Sequence, residues 1–186
     1  MTKEELRIRL ISQCKTIDDD YRKVASDSLL NNVLPLIKDK QNILIYRAYG
    51  FEIDLHQIIN YSVKNNKNLF QPFAIKDDKF MCFVPYNESK TEIFTTNEEC
   101  KKYGLTNWQE LDLILLPVVG MDKNGYRLGK GGGYYDTTLA QINSDTLKRP
   151  ILCGVGYNCQ VIDTIFPDSW DIKLDYFVSE SELIKF

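Results

Sequence analysis

The sequence predicts an α/β protein: a single three-layer domain over residues 1–186, with a largely parallel sheet flanked by helices and a small antiparallel strand cluster. Three observations predict it. Short apolar runs, above all Leu111-Asp112-Leu113-Ile114-Leu115-Leu116, alternate with segments of helical period, and strands that are apolar along their length are those covered on both faces. Three strand candidates follow one another mid-chain without an intervening helix, which adds the antiparallel piece. No repeat, low-complexity tract or Pro/Gly/Ser linker divides the chain, and 186 residues suit one well-buried domain better than two.

Residues 3–14 read as a short amphipathic helix, with Leu6 and Leu10 one turn apart and Lys3 and Arg7 one turn apart elsewhere on its surface. A second helix is expected over 17–34, with Thr16 as N-cap, Asp18-Asp19-Asp20 as its acidic first turn and Pro35 as its stop. Residues 42–46 form a buried-type strand. A helix over 54–64 follows, its apolar side made by Leu55, Ile58, Ile59 and Val63. Strands are expected at 69–74, 79–84 and 91–95, a short helix at 97–103, and the strongest strand at 111–116. A turn at Asp122-Lys123-Asn124-Gly125 leads on to a helix over 133–142, then strands at 151–155 and 174–178.

Composition narrows the function. A hydrophobic content of 44% and a charged content of 26% belong to an ordinary soluble globule. The net charge of −3 argues against a nucleic-acid binder, which normally carries a basic surplus. No 18-residue apolar run predicts a membrane span, and the N-terminus lacks the apolar core of a signal peptide, so a cytoplasmic protein is expected; a monomer is the separate expectation for its assembly. Five scattered cysteines without a C-x-x-C support neither a zinc site nor a dithiol motif, and are expected to be reduced, partly buried side chains. His56 is the only histidine, and a structural or surface role is expected for it.

Chemistry concentrates in Arg127-Leu128-Gly129-Lys130-Gly131-Gly132-Gly133-Tyr134-Tyr135-Asp136, where four of the ten glycines fall within five positions. A buried strand, a glycine loop and a helix start together hold phosphate: glycine admits the anion to the backbone, and free N–H groups and the helix dipole face it. Arg127 and Lys130 add positive charge, and Asp136 can reach a metal ion. The loop leaves the carboxyl end of the 111–116 strand, the end at which ligands sit in a parallel sheet. It is not a P-loop, because only three residues separate Gly125 from Gly129-Lys130 and Gly131 stands where the magnesium-binding hydroxyl belongs. The dinucleotide fingerprint fails too, with Tyr134 in place of its last glycine. Considered alone, the loop also fits a flexible surface turn without a ligand.

These residues resemble the 5-formyltetrahydrofolate cyclo-ligase family along nearly the whole chain. The 112–117 run followed by Gly125-Tyr126 and the loop up to Asp136 carries the resemblance most strongly. Lys3-Glu4-Glu5-Leu6-Arg7 is similar to the family's Lys-x-x-Leu-Arg element, and Tyr46 with Glu52-Ile53-Asp54 to its first strand and the Glu beyond it. Gly154…Gln160 and Trp170-Asp171-Ile172-Lys173-Leu174-Asp175 are weaker matches. Thr137, where the family often has Arg, Asn107-Trp108 and Phe70-Gln71-Pro72-Phe73 depart from the pattern.

The resemblance implies ATP-dependent cyclisation of 5-formyltetrahydrofolate to 5,10-methenyltetrahydrofolate, with ADP and phosphate released. The formyl oxygen would attack the γ-phosphorus and the folate N10 would close the ring. It implies ATP binding by Lys3, Glu4, Glu5, Leu6, Arg7, Arg127, Leu128, Gly129, Lys130, Gly131, Gly132, Gly133, Tyr134 and Tyr135, with Arg127 and Lys130 serving catalysis. Arg47 and Glu52 would bind the folate, and Asp136 and Asp175 would hold Mg²⁺ directly or through water. A sugar-phosphate isomerase or acyl-CoA enzyme on a related scaffold, and a nucleotide sensor without turnover, are the rival readings.

Overall fold

The computed structural model describes residues 2–74, 81–86, 98, 102, 108–140 and 149–186. The chain opens with helices α1 (Lys3–Lys15) and α2 (Asp19–Ile37), followed by strand β1 (Asn42–Leu44), helix α3 (His56–Lys64), and strands β2 (Asn68–Ala74) and β3 (Met81–Pro85). Strands β4 (Leu113–Pro117), β5 (Gly120–Asp122) and β6 (Arg127–Leu128) precede helix α4 (Tyr134–Leu139). Strands β7 (Ile151–Val155), β8 (Val161–Ile162), β9 (Tyr176–Val178) and β10 (Leu183–Lys185) complete the described elements.

Seven strands form the main sheet in the order β10-β9-β7-β4-β1-β2-β3. Its centre is parallel, from β9 through β7, β4 and β1 to β2, and each outermost strand, β10 and β3, is antiparallel. Alternation along the central strands feeds two cores. Ile43, Ile45, Leu113 and Leu115 pack with α1, α2 and α3 on one face, and Leu44, Ile114 and Leu116 with Leu139 of α4, Ile172 and Leu174 on the other. Each such fully buried side chain contributes about 1.5–3 kcal/mol relative to exposure. The expected α/β architecture is present, with an additional small sheet ordered β6-β5-β8 that the sequence reading lacked.

Local chemistry accounts for the helix ends. Thr2 and Glu5 form a capping box that starts α1, and Leu6, Leu10 and Cys14, one turn apart, are its buried stripe. Asp18, not Thr16, caps α2 by accepting from the Tyr21 N–H, while Thr16 closes α1. Pro35 does not stop α2. The helix continues to Ile37 because Leu36 and Ile37 are buried and Lys38 N–H still reaches Leu34 O, which offsets the bond that proline removes.

Two further expectations are revised. The glycine loop does not follow β4 directly; the β5–β6 hairpin intervenes, its turn tied by Asp122 Oδ1, which accepts from Asn124 N–H and Tyr126 N–H at 2.9 and 3.0 Å. Cys14, Cys153 and Cys159 are free thiols, whereas Cys82 on β3 is disulfide-bonded. The strand expected at 91–95, most of the helix at 97–103 and the end of that at 133–142 lie outside the described residues.

Candidate active site

A cavity of about 980 Å³ opens at the carboxyl ends of the parallel strands. Its walls come from the residues after β1 (Tyr46, Arg47, Tyr49, Glu52), the end of β2 (Gln71, Pro72, Phe73), the exit of β4 (Pro117, Val118, Val119) and the whole stretch 127–136. Lys3 and Arg7 of α1 and the segment Asp168, Trp170 and Asp171 close it. Thus Arg47, Glu52, Arg127, Lys130, Asp136 and the glycine loop, 89 positions apart in sequence from Arg47 to Asp136, share one space.

Gln160 sets the floor. Its buried amide donates to Val118 O and Val119 O at 2.7 and 2.9 Å, and its Oε1 accepts from Tyr157 N–H at 2.7 Å. Those bonds fix the irregular backbone by which β4 passes into the cavity wall. The weak sequence match at Gln160 is therefore a support behind the site.

Within the loop, Gly131 and Gly133 have φ values of +95° and +72°, a left-handed backbone that glycine adopts without steric cost. Gly133 is the N-cap of α4 and has no side chain to occupy the helix's first N–H groups. Gly132, between them, is not in that region. Arg7 Nε donates to Gly129 O at 2.8 Å and its guanidinium lies beside Gly131, so α1 holds the loop from outside.

The loop cations are already paired. Arg127, whose side chain is 4% exposed, donates to Asp136 Oδ1 at 2.8 Å, and its Nε is buried with no hydrogen-bond partner among the described residues. Its guanidinium also lies over the Tyr135 ring, 5.7 Å from the centroid. Lys130 Nζ meets Glu52 Oε1 at 2.7 Å and lies near the rings of Tyr49 and Phe51. Glu52, with a side chain 6% exposed, also accepts from Tyr49 N–H. Arg47 Nε donates to Gln71 Oε1 at 2.7 Å.

Burial raises the pKa of Tyr46 and of Tyr135, so both phenols stay neutral donors at neutral pH. His56 lies away from the cavity beside Ser26, Asp27 and Asp54. The cavity therefore offers cations, backbone N–H groups and neutral hydroxyls, but no imidazole. That set suits charge neutralisation and positioning more than proton abstraction.

Three expected residues and one expected metal ligand are placed elsewhere. Of Lys3-Glu4-Glu5-Leu6-Arg7 only Lys3 and Arg7 line the cavity: Glu4 pairs with Arg7, Glu5 is spent in the capping box, and Leu6 is core. Asp175 is a correction of a different kind. It sits at the amino end of β7, bonded to both backbone polar groups of Leu152 and gripped by both terminal nitrogens of Arg149, at the opposite end of the sheet from Asp136. The carboxylates that do line the cavity near it in sequence are Asp168 and Asp171. Trp170-Asp171 lay within the quoted match, and the choice between two aspartates four residues apart could not be made without knowing which faced the sheet's carboxyl edge. Among the described residues no cluster of three or more metal-ligating side chains occurs.

Residues 1–180 match the model of the 5-formyltetrahydrofolate cyclo-ligase family. A relative from Haemophilus influenzae named 5-formyltetrahydrofolate cyclo-ligase is 31% identical over 157 residues, covering 81% of this chain and 82% of its own length. The mouse protein of that name is 26% identical, over 96% of this chain and 93% of its own. The solved structure of Aquifex aeolicus 5,10-methenyltetrahydrofolate synthetase superimposes with a TM-score of 0.79 at 25% identity, covering 100% of this chain and 93% of that one. The Mycoplasma pneumoniae synthetase, at 21% identity, shares the fold with a TM-score of 0.78 over 97% of this chain and 99% of its own.

Proposed function

The chain belongs to the 5-formyltetrahydrofolate cyclo-ligase family, and from that premise we propose that it cyclises 5-formyltetrahydrofolate to 5,10-methenyltetrahydrofolate with conversion of ATP to ADP and phosphate. The observation that carries the reading is the meeting of the glycine loop and Glu52 in one cavity, through the Lys130–Glu52 pair. A phosphate site and a polar, enclosed carboxylate lie close enough for a phosphoryl group to pass between their ligands.

In this reading the backbone of 129–133 cradles the phosphates. Arg127, Lys130 and Arg7 offset their charge, and Tyr134 and Tyr135 flank them. Glu52 accepts hydrogen bonds from the donor-rich edge of the pterin, with Arg47 beside it. The formyl oxygen, which carries no proton, attacks the γ-phosphorus and ADP leaves. N10 then bonds to the formyl carbon, the carbon–oxygen bond breaks, and phosphate carries the oxygen away while N10 gives up its proton. Such phosphoryl transfer depends on position and charge more than on a base, consistent with a cavity that lacks histidine.

Magnesium fits the donor set without a dedicated cage, because it is commonly held by one or two carboxylates, waters and substrate phosphates. Asp136, partly exposed beside the loop, is the residue that would hold it. When bound, the metal would supply positive charge that offsets the charge of the phosphates. Asp136 would also keep Arg127 oriented toward the loop.

The test is methenyl-folate absorbance together with phosphate release, each with and without ATP. ATP-independent product would refute the ligase reading. Phosphate release that ignores 5-formyltetrahydrofolate would refute the coupling.

A further inference from the structure

We propose that Trp170 is the stacking wall for the nucleobase of the bound nucleotide, and that Lys3 acts as a positioning residue holding the Trp170 turn rather than as a phosphate contact. The inference rests on reading the cavity as an ATP site. Trp170 lines that cavity and is 70% exposed, so an aromatic surface stands open at the cavity wall to a planar ligand.

The turn that bears it is fixed on every side. Asp168 N–H donates to Asp171 Oδ2 at 2.7 Å, and Asp171 N–H donates back to Asp168 O at 3.0 Å. Lys3 Nζ then joins both carboxylates, at 2.6 Å each, from α1. Ile165 before the turn and Ile172 after it are buried in the two cores, so the indole projects from a rigid frame. An aromatic held this way loses little freedom when a ring stacks on it.

Which planar ligand it meets follows from its neighbours. Arg7, one helical turn from Lys3, holds Gly129 and lies beside Gly131. Lys3, the Trp170 turn and the phosphate cradle are thus attached to the same end of α1. Glu52 and the exposed Tyr49 instead belong to the segment after β1. The base joined to the phosphates falls on the α1 side, and the pterin on the β1 side. Lys3, engaged by two carboxylates, brings no surplus positive charge to the phosphates; Arg7, Arg127 and Lys130 do. Partial burial works to lower the Lys3 pKa, but its bonds to Asp168 and Asp171 outweigh that and raise it, so the clamp is charged throughout the neutral range.

The chain has two tryptophans, and Trp108 does not line the cavity. In a Trp108→Phe protein, a non-hydrolysable ATP analogue should therefore change Trp170 emission, while inorganic tripolyphosphate should not. Trp170→Ala, made in the wild-type background, should raise the Kd of the ATP analogue about tenfold, since base–aromatic stacking is of that order. Its Kd for tripolyphosphate and its KM for 5-formyltetrahydrofolate should stay within about twofold of wild type. Lys3→Met should show the same base-selective loss and add nothing in the Trp170→Ala background.

Loss of tripolyphosphate affinity in Lys3→Met would make Lys3 a phosphate contact and overturn its assignment. A raised folate KM with unchanged nucleotide Kd in Trp170→Ala would make the indole the pterin wall and overturn the proposal. Failure of the wild type to bind the ATP analogue would remove the ATP reading itself. Intact binding with a silent Trp170 would remove this inference alone.

Discussion

Glu52→Gln probes the contact on which the proposed function turns. Glu52 Oε1 lies 2.7 Å from Lys130 Nζ, and the other oxygen accepts from Tyr49 N–H at 2.8 Å. Glutamine oxygen can keep the Tyr49 bond, but its NH₂ then points at an ammonium, a donor facing a donor. A hydrogen bond between charged groups contributes about 1.5–3 kcal/mol, and the Lys130 end is discounted because that side chain is 47% exposed and can be resolvated. About 1–2 kcal/mol therefore ties Lys130 to Glu52 in the ligand-free protein, a factor of roughly five to thirty. In the proposed reading both groups leave this pair for their ligands, Lys130 for phosphate and Glu52 for pterin. Removing the carboxylate releases Lys130 and deprives the pterin of its acceptor. KM for 5-formyltetrahydrofolate should rise five- to thirtyfold, while KM for ATP should stay level or fall. The assay is methenyl-folate formation with each substrate varied and the other saturating, alongside a thermal midpoint to confirm folding. Equal rises in both KM values would refute the reasoning, since they would mean that the pair is a structural tie and not a contact between two ligand sites.

The remaining predictions concern the frame around that pair. Asp136→Asn should fold but lose magnesium-dependent turnover, whereas Asp136→Ala should also destabilise the protein by about 3 kcal/mol because Arg127 is left buried and unpaired; urea titration separates the two. Gln160→Ala strands three buried backbone groups and should cost about 2–4 kcal/mol in urea unfolding, with both KM values raised as the cavity floor loosens. Gly131→Ala meets no clash, its added carbon being 3.6 Å from Arg7, but imposes about 1–2 kcal/mol of left-handed strain, so ATP-analogue affinity should fall five- to thirtyfold by calorimetry. Lys3 has a raised folded pKa, so its stabilising contribution is complete below the ordinary lysine value of 10.5 and is lost as pH rises through the raised value; Trp170 emission should stay constant from about pH 7 to 10 and shift only above that.

What could be read from the chain followed its periodicities. The 111–116 run and 151–155 announced central parallel strands because both of their faces are buried, and the chain shows β4 and β7 there, paired in register. The two- and three-residue strands β5, β6 and β8 left no comparable signal: segments that short carry no period, and their pairing depends on a hairpin tied by Asp122. Pro35 was misread because the cost of a proline is local, while the burial of Leu36 and Ile37 that outweighs it is set by α2's distant neighbours. At the site, glycine spacing and a family resemblance found the loop. Asp168 was not named, and Trp170 was named in the family-like stretch without a role, because nothing in that stretch says that Lys3, 165 positions from Asp168, will hold the turn at the cavity rim.

The charge arrangement gives the site a common logic. Every charged side chain named at its wall is engaged within the protein: Arg127 with Asp136, Lys130 with Glu52, Lys3 with Asp168 and Asp171, and Arg7 with Glu4 and Gly129 O. Cations and anions held ready in this way need not be gathered from mobile chains when a polyphosphate arrives, so less ordering entropy opposes binding. Yet each pair must yield part of its own energy to the ligand, and the pairs differ in how easily they can. Lys130 is half exposed and can swing from Glu52 to phosphate at little solvation cost; Arg127, almost fully enclosed, cannot leave Asp136 and acts through the charge it holds in place. The enclosed pair is therefore suited to fixing geometry and the open pair to exchanging partners. On this argument, Lys130 variants should alter nucleotide affinity and cost about the 1–2 kcal/mol of the Glu52 tie, whereas Arg127 variants should alter affinity at a larger cost in stability.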